Sequence, residues 1–239
     1  MAVGNSSRIK AHGSRRDNLK LILTGATGFA GSEVLKQALA DPAVERVTVL
    51  TRRPIGLTHA KLNEVVVRDF LDYSAIRLGD ADACIWCLGV SQSQVDKEQY
   101  VVITHDYAVA GAAAMIAVNP RLRFCFVSGR SADPTEKASQ LYARIKGRTE
   151  RTLSEKYPQN VFVFRPGYIK ASKQSGPRKD FARFAAPIAA VMGLFMRDFS
   201  VDCDQLARCL LGVAKDGGES QLLDNRAIVV WPAWTPPIR

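Results

Sequence analysis

Residues 19–40 read LKLILTGATGFAGSEVLKQALA, and their pattern decides the fold. Leu19 to Thr24 is a short, mostly apolar run of the kind that forms a buried strand. Three glycines follow at three-residue spacing, Gly25, Gly28 and Gly31, with Thr27 and Phe29 among them. Beyond them SEVLKQALA carries its apolar residues at helical spacing. A strand that enters a helix through glycines makes a tight turn and lets backbone approach a pyrophosphate without side chains in the way. The first N–H groups of the helix then face the negative charge. A glycine trio alone is weak. Set between a legible strand and a legible helix, it predicts a dinucleotide site whose contacts are Gly25, Thr27, Gly28, Phe29 and Gly31.

The same alternation continues outward. RVTVLT (46–51), EVVVR (64–68), DACIWCLG (82–89), RFCFVS (123–128), VFVFRPG (161–167) and LLDNRAIVVW (222–231) read as further strands. KEQYVVITHDYAVAGAAAMIAV (97–118) reads as a helix that stops before Asn119 and Pro120, and SQLYARIKGRTERTLSEKY (139–157) as another. Apolar strands alternating with helices predict an α/β fold, a doubly wound parallel sheet of the Rossmann kind with both faces covered. We expect one domain over 19–239, with residues 168–220 covering the active-site edge. The polar residues 1–18 read as a flexible arm.

Ligands of such a sheet sit at the carboxyl ends of its strands. About twenty residues after the glycines, an NAD site would place an acid on the ribose hydroxyl. LTRRP (50–54) supplies Arg52 and Arg53 instead, planar forks suited to a 2′-phosphate, so the expected cofactor is NADP(H). Asp69 and Phe70 after the third strand are expected adenine neighbours. Leu88 and Gly89 after the fourth are expected along the cofactor.

QLYARIKGRTE (140–150) places Tyr142 and Lys146 four residues apart on one helical face, and Ser128 ends the preceding strand. A free tyrosine has a pKa near 10, about three units too high for easy proton transfer at neutral pH. A lysine one turn away is expected to favour the phenolate. Ser128 is expected to hydrogen-bond the reacting oxygen, with Tyr142 as acid/base.

With these residues in order, about 19 to 230 of the chain resembles the short-chain dehydrogenase/reductase superfamily. The match is closest to its atypical branch that includes the Tat-interactive, tumour-suppressor-like oxidoreductase. GATGFAGSEVL, LTRR, CLG, HDY, FVSGRSAD, LYARIKGRTE, VFRPGYI and LLDNRAI carry the likeness. It implies NADPH binding by the glycines and Arg52 or Arg53, a Ser128, Tyr142, Lys146 triad, and a cofactor-contacting loop at Pro166, Gly167 and Tyr168. Many members carry an asparagine where this chain has Thr104, which alters the relay of protons to the lysine. Members of the branch are also described as regulators of other proteins.

Composition narrows the field. A 239-residue chain with 47% hydrophobic residues and a charge of +10 is ordinary for a globular domain except in its charge. That charge is concentrated in the arm and in residues 137–183, where twelve Lys or Arg face only Glu150, Glu155 and Asp180. No aromatic strip interleaves with it, which argues against nucleic acid and favours an anionic cofactor or substrate. Lys170, Lys173, Arg178 and Lys179 mark an anionic small-molecule substrate as one reading of the basic loop. No apolar run reaches 18 residues. The longest, FAAPIAAVMGLFM (184–196), reads as a buried or substrate-covering helix rather than a membrane element. His12, His59 and His105 form no ligand cluster, so no metal is expected. Cys84 and Cys87 stand three apart in a strand and should point to opposite faces. Five cysteines without framework spacing place the chain in a reducing compartment, the cytoplasm, with a mitochondrial address as the alternative offered by the Arg- and Ser-rich arm. Pairing of two copies through helices, a homodimer, is left open. The leading function is an NADP-dependent oxidoreductase acting on a small carbonyl or alcohol. An NADPH-binding regulator with little turnover and an epimerase or dehydratase with bound nicotinamide are the alternatives.

Overall fold

The computed structural model describes residues 18–171 and 199–232. In chain order the elements are β1 (Leu19–Thr24), α1 (Phe29–Ala40), β2 (Val44–Thr51), β3 (Leu62–Val66) and β4 (Ala83–Trp86). Then α2 (Lys97–Val101) runs through one π-helical turn, Val102–Asp106, into α3 (Tyr107–Val118). β5 (Arg123–Val127), α4 (Leu141–Lys156), β6 (Val161–Arg165) and β7 (Tyr168–Lys170) follow. The chain closes with β8 (Ser200–Asp202), α5 (Cys203–Asp216), β9 (Leu222–Asp224) and α6 (Asn225–Val230).

Seven strands form one parallel sheet in the order β3-β2-β1-β4-β5-β6-β9, and β7 pairs with β8 beside it. Growth of the sheet reverses between β1 and β4. In such a sheet the crevice outside that reversal is the ligand site.

Alternation along the strands builds a two-sided core. Leu21 and Leu23 pack with Val34, Leu35 and Ala38 of α1 and with Leu206, Leu210 and Val213 of α5. Between them Ile22 faces the other way, into a cluster of Trp86, Phe124 and Phe126 with Ala108, Ala112 and Met115 of α3. Cys84 lies in this second cluster and Cys87 against the first, on opposite faces as their spacing requires; all five cysteines are free.

Three elements differ from their expected form. Residues 222–231 were expected as one strand, but only Leu222–Asp224 pairs. The Asp224 side chain then accepts the Ala227 N–H at 2.8 Å and caps α6. The helix over 97–118 is long and apolar enough, by composition, to cross a membrane. Lys97, Glu98, His105 and Asp106 interrupt its apolar run and hide this in a simple count. In the fold its Ala108, Gly111, Ala112 and Met115 are buried, and a Cβ on Gly111 would overlap the Trp86 ring, so this face packs on the sheet. Finally, α5 was expected over the active-site edge but packs beside α1 on a sheet face. The rest of that expected cover, including 184–196, Lys173, Arg178 and Lys179, lies outside the described residues, as does the arm to residue 17.

Candidate cofactor and active site

The carboxyl ends of β1, β2 and β4 enclose a cleft of about 570 Å³. Gly25, Thr27, Gly28, Arg52, Arg53, Phe70, Leu88 and Gly89 line it, all expected from the sequence. Ala26, Leu50, Thr51, Pro54 and Cys87 complete the wall and were not expected. For Cys87 the available signal was its place between β4 and Leu88–Gly89. The glycines are required by shape. Gly25 has φ of +67°, and a Cβ there would stand 2.6 Å from the Cys87 carbonyl oxygen. Its own carbonyl accepts the Gly28 N–H at 2.9 Å, and the Leu88 N–H reaches Thr24 Oγ1 at 3.2 Å. A bare backbone turn opening on a helix start, flanked by two exposed guanidinium groups without an ion pair among the described residues, fits the phosphates of a dinucleotide.

Gly31, Phe29, Asp69, Pro166 and Gly167 stand elsewhere, and Tyr168 and Lys146, also expected at the cofactor, lie outside the lining too. Gly31 supports the turn from behind, where a Cβ would overlap the Gly25 carbonyl. Phe29 is partly exposed, outside the lining, and its carbonyl accepts from Cys203 Sγ at 3.4 Å. Asp69 is exposed, and its carboxylate turns back to the Leu71 N–H at 2.9 Å, an Asx turn that takes it out of the cleft. The Pro166 carbonyl accepts the Arg130 N–H at 3.0 Å, and the Gly167 N–H donates to Asn225 Oδ1 at 2.8 Å. Both lie beyond the cleft wall as it stands.

Ser128, Tyr142 and Lys146 meet at the end of β5. Tyr142 and Lys146 lie one turn apart at the start of α4. The Tyr142 hydroxyl rests against Gly129, where any Cβ would overlap its oxygen. Ser128 is buried; its N–H donates to the Phe164 carbonyl at 2.8 Å, and its Oγ has no hydrogen-bond partner. Lys146 Nζ donates to the Val127 carbonyl at 2.8 Å and sits 4.8 Å from the Phe126 ring centre. The loop before α4 is clamped to it: the Asp133 carboxylate accepts the N–H groups of Lys137 and Ala138 at 2.9 and 2.7 Å, and Glu136 pairs with Arg148 and Arg151.

The electrostatics differ from the expected form. Burial pushes the Tyr142 phenol up to about 12, with Tyr100 and Glu150 acting in the same direction. Lys146 does not offset this, because its ammonium turns to the Val127 carbonyl. Burial in turn lowers Lys146 to about 8, opposed by Glu150 and then Cys87. Glu150, one turn beyond Lys146, is itself buried and held by both Arg165 Nε and Nη2, Nε lying 3.0 and 3.1 Å from its two oxygens. The sequence reading missed this pair; its signal was the third position of the Tyr142, Lys146, Glu150 face. Thr104, in the π turn, is buried with an unpartnered hydroxyl, and so is Tyr100 one turn earlier. The Thr104 hydroxyl partly offsets the effect of burial on Tyr100, although neither meets hydrogen-bond geometry. Buried hydroxyls left without partners are uncommon, and Tyr100, Thr104 and Ser128 are three around one tyrosine.

Gly129→Ala should therefore separate activity from stability. The added methyl displaces the Tyr142 hydroxyl but meets only the far end of a side chain. The expected result is a loss of turnover of roughly 10- to 100-fold from a displacement near 1 Å. The melting temperature should fall by no more than about 4 °C, as for a loss of about 1 kcal/mol. Unchanged turnover would remove Tyr142 from the chemistry or Gly129 from its placement.

The sheet order and the glycine turn at its reversal define a Rossmann fold. Within that class the chain resembles an atypical short-chain dehydrogenase/reductase like Protein HTATIP2 of Rattus norvegicus, with 27% identity over 222 residues and 90% of each chain covered. Protein FMP52 of Candida albicans, a mitochondrial protein, is 24% identical over 225 residues, 88% of this chain and 94% of its own. No family model matches the chain. Among solved structures, a short chain dehydrogenase from Burkholderia cenocepacia in complex with NADP superposes with a TM-score of 0.64 at 13% identity, covering 88% of this chain and 89% of that one. The Bordetella bronchiseptica enzyme WbmF, in complex with NAD+, gives 0.66 at 14% identity, covering 89% and 74%. These structures share the fold.

Proposed function

We propose that the chain is an NADP(H)-dependent oxidoreductase that moves a hydride between the nicotinamide and a small carbonyl or alcohol. The observation that carries the reading is the adjacency of two sites. Trp86 pairs with Phe126 across β4 and β5, so Cys87, in the wall of the cleft that Arg52 and Arg53 border, follows beside Val127, whose carbonyl holds Lys146 Nζ at 2.8 Å. The cofactor would lie on the Gly25–Gly28 turn with its 2′-phosphate toward Arg52 and Arg53. Bound there, it supplies the hydride for a carbonyl carbon or accepts one from an alcohol.

The residues of the chain handle the proton. A phenol raised to about 12 is protonated at neutral pH, so Tyr142 is ready to give its proton to a carbonyl oxygen as that oxygen gains negative charge. Ser128 Oγ, free of protein partners, can donate to the same oxygen. Lys146 would stabilise the phenolate left behind by turning its ammonium from the Val127 carbonyl toward it. Oxidation would run the same steps in reverse and start from the phenolate. Free cysteines support a reducing compartment, the cytoplasm or, as for the fungal relative, mitochondria.

Titration with NADPH and NADH tests the cofactor reading. A hydrogen bond to a charged group contributes about 1.5–3 kcal/mol, so Arg52→Ala or Arg53→Ala should weaken NADPH roughly 10- to 100-fold. NADH, which lacks the phosphate, should change far less. Equal loss for both nucleotides would end the 2′-phosphate assignment, and failure to bind either would end the oxidoreductase reading.

A further inference from the structure

The residue that follows the Tyr142-facing glycine is Arg130, and no part of the proton or cofactor machinery uses it. Its N–H donation to Pro166 ties this turn to the loop between β6 and β7. Its guanidinium lies over the Phe199 ring, Cζ 3.7 Å from the centre. Phe199 abuts that same loop, since a Cβ on Gly167 would overlap the Phe199 carbonyl. Stacking engages one face of the planar group and leaves the N–H donors around its edge free. None of them has a protein acceptor among the described residues, and the side chain is exposed.

The other arginines around α4 are committed. Arg144 donates to the carbonyls of Ala138 and Ser139 at 2.8 and 2.7 Å, Arg148 and Arg151 hold Glu136, and Arg165 holds Glu150. Arg130 alone in this group presents open donors, and it does so two residues from Ser128. Phe199 beneath it, and Tyr168 on the strand that pairs with Ser200 next to Phe199, are half-exposed aromatics that offer the body of a small organic molecule an apolar wall.

We propose that Arg130 anchors the substrate, and that the substrate class is a carbonyl or alcohol bearing a carboxylate. A flat fork fixed on a ring matches a planar anion with two oxygens, which a bidentate pair orients as well as holds. This rests on the oxidoreductase reading and adds the substrate's charge and its point of attachment.

Two aldehydes of matched shape test it, 4-carboxybenzaldehyde and methyl 4-formylbenzoate, with NADPH consumption followed by absorbance. Wild type should favour the carboxylate by about tenfold or more in kcat/KM, the range of one charge-assisted contact. Arg130→Gln should bring that ratio to about one, and Arg130→Lys should restore part of it, since a point charge keeps attraction and loses the fork. Arg121→Gln, an exposed arginine before β5 at the far edge of the sheet, should leave the ratio as it was. Equal rates for the two aldehydes in wild type, or an unchanged ratio in Arg130→Gln, would overturn the anchor. Should neither aldehyde be reduced, the oxidoreductase reading fails for this class. Terephthalate titrated into the protein with NADPH present then decides the anchor alone: binding lost in Arg130→Gln keeps it, and no binding in wild type removes it.

Discussion

Tyr142→Phe should lower turnover of any carbonyl substrate by about 10²- to 10⁴-fold, the range of one positioned acid. NADPH affinity should stay within roughly threefold, because the lost hydroxyl acts on the transition state rather than on cofactor binding. The expectation follows from how the phenol is held. Burial keeps it protonated well above neutral pH, and the absence of a side chain at Gly129 leaves room for its oxygen over the end of β5. Ser128 is beside it with an uncommitted hydroxyl. Phe preserves the ring and removes the hydroxyl that carries the proton. Ser128→Ala should cost less, since it removes a donor and not the acid. A Tyr142→Phe protein that keeps more than a tenth of wild-type turnover would leave the proton to some other group, and Tyr100 would be the first to test. Loss of NADPH binding in the same variant would instead make Tyr142 part of the cofactor site.

What could be read from residues alone follows the range of the interactions involved. The β1–turn–α1 unit was legible because its demands are local: a strand, three glycines and a helix within about twenty residues. Arg52 and Arg53 were legible because strand order in this architecture fixes where the second strand ends. Asp69 was misplaced because a two-residue turn, Asp69 to Leu71, competes for its carboxylate and wins. The late strand became a helix for a similar local reason, the Asp224 cap. Electrostatics were the least legible. Spacing put Tyr142 and Lys146 on one face, yet the direction of the phenol's shift depends on burial and on where the ammonium turns, which is set by β5. The Glu150–Arg165 pair spans two elements, α4 and β6, and Arg130 becomes notable only once Phe199 is seen beneath it. The spacing of Tyr142, Lys146 and Glu150 marks one side of the first pair, but its partner on β6 and the Arg130–Phe199 contact leave no periodic trace.

That buried pair supports the second large effect. Glu150→Leu should destabilise the protein by about 3 kcal/mol, because it leaves the Arg165 guanidinium partly buried without its anion. For a chain of this size the melting temperature should fall by roughly 6–12 °C. The loss should also depend on pH, through Lys146. Its folded value of about 8 lies below its ordinary 10.5, so folding disfavours the ammonium. That penalty is complete below about pH 8 and is relieved as pH rises from 8 toward 10.5. Glu150 is what holds the value as high as it is, so its removal deepens the penalty at neutral pH and starts the relief lower. The deficit of Glu150→Leu relative to wild type should therefore be larger at pH 6.5 than at pH 8.5, measured by urea unfolding. Glu150→Leu with Arg165→Met should recover most of the stability, since an apolar pair can replace a buried ionic one. It should not recover the Lys146 shift, and its turnover should fall with rising pH earlier than in wild type. A single variant that loses less than about 1 kcal/mol would make the pair a surface-like bridge of little consequence. A double variant with a wild-type pH profile would show that Glu150 does not set the charge on Lys146.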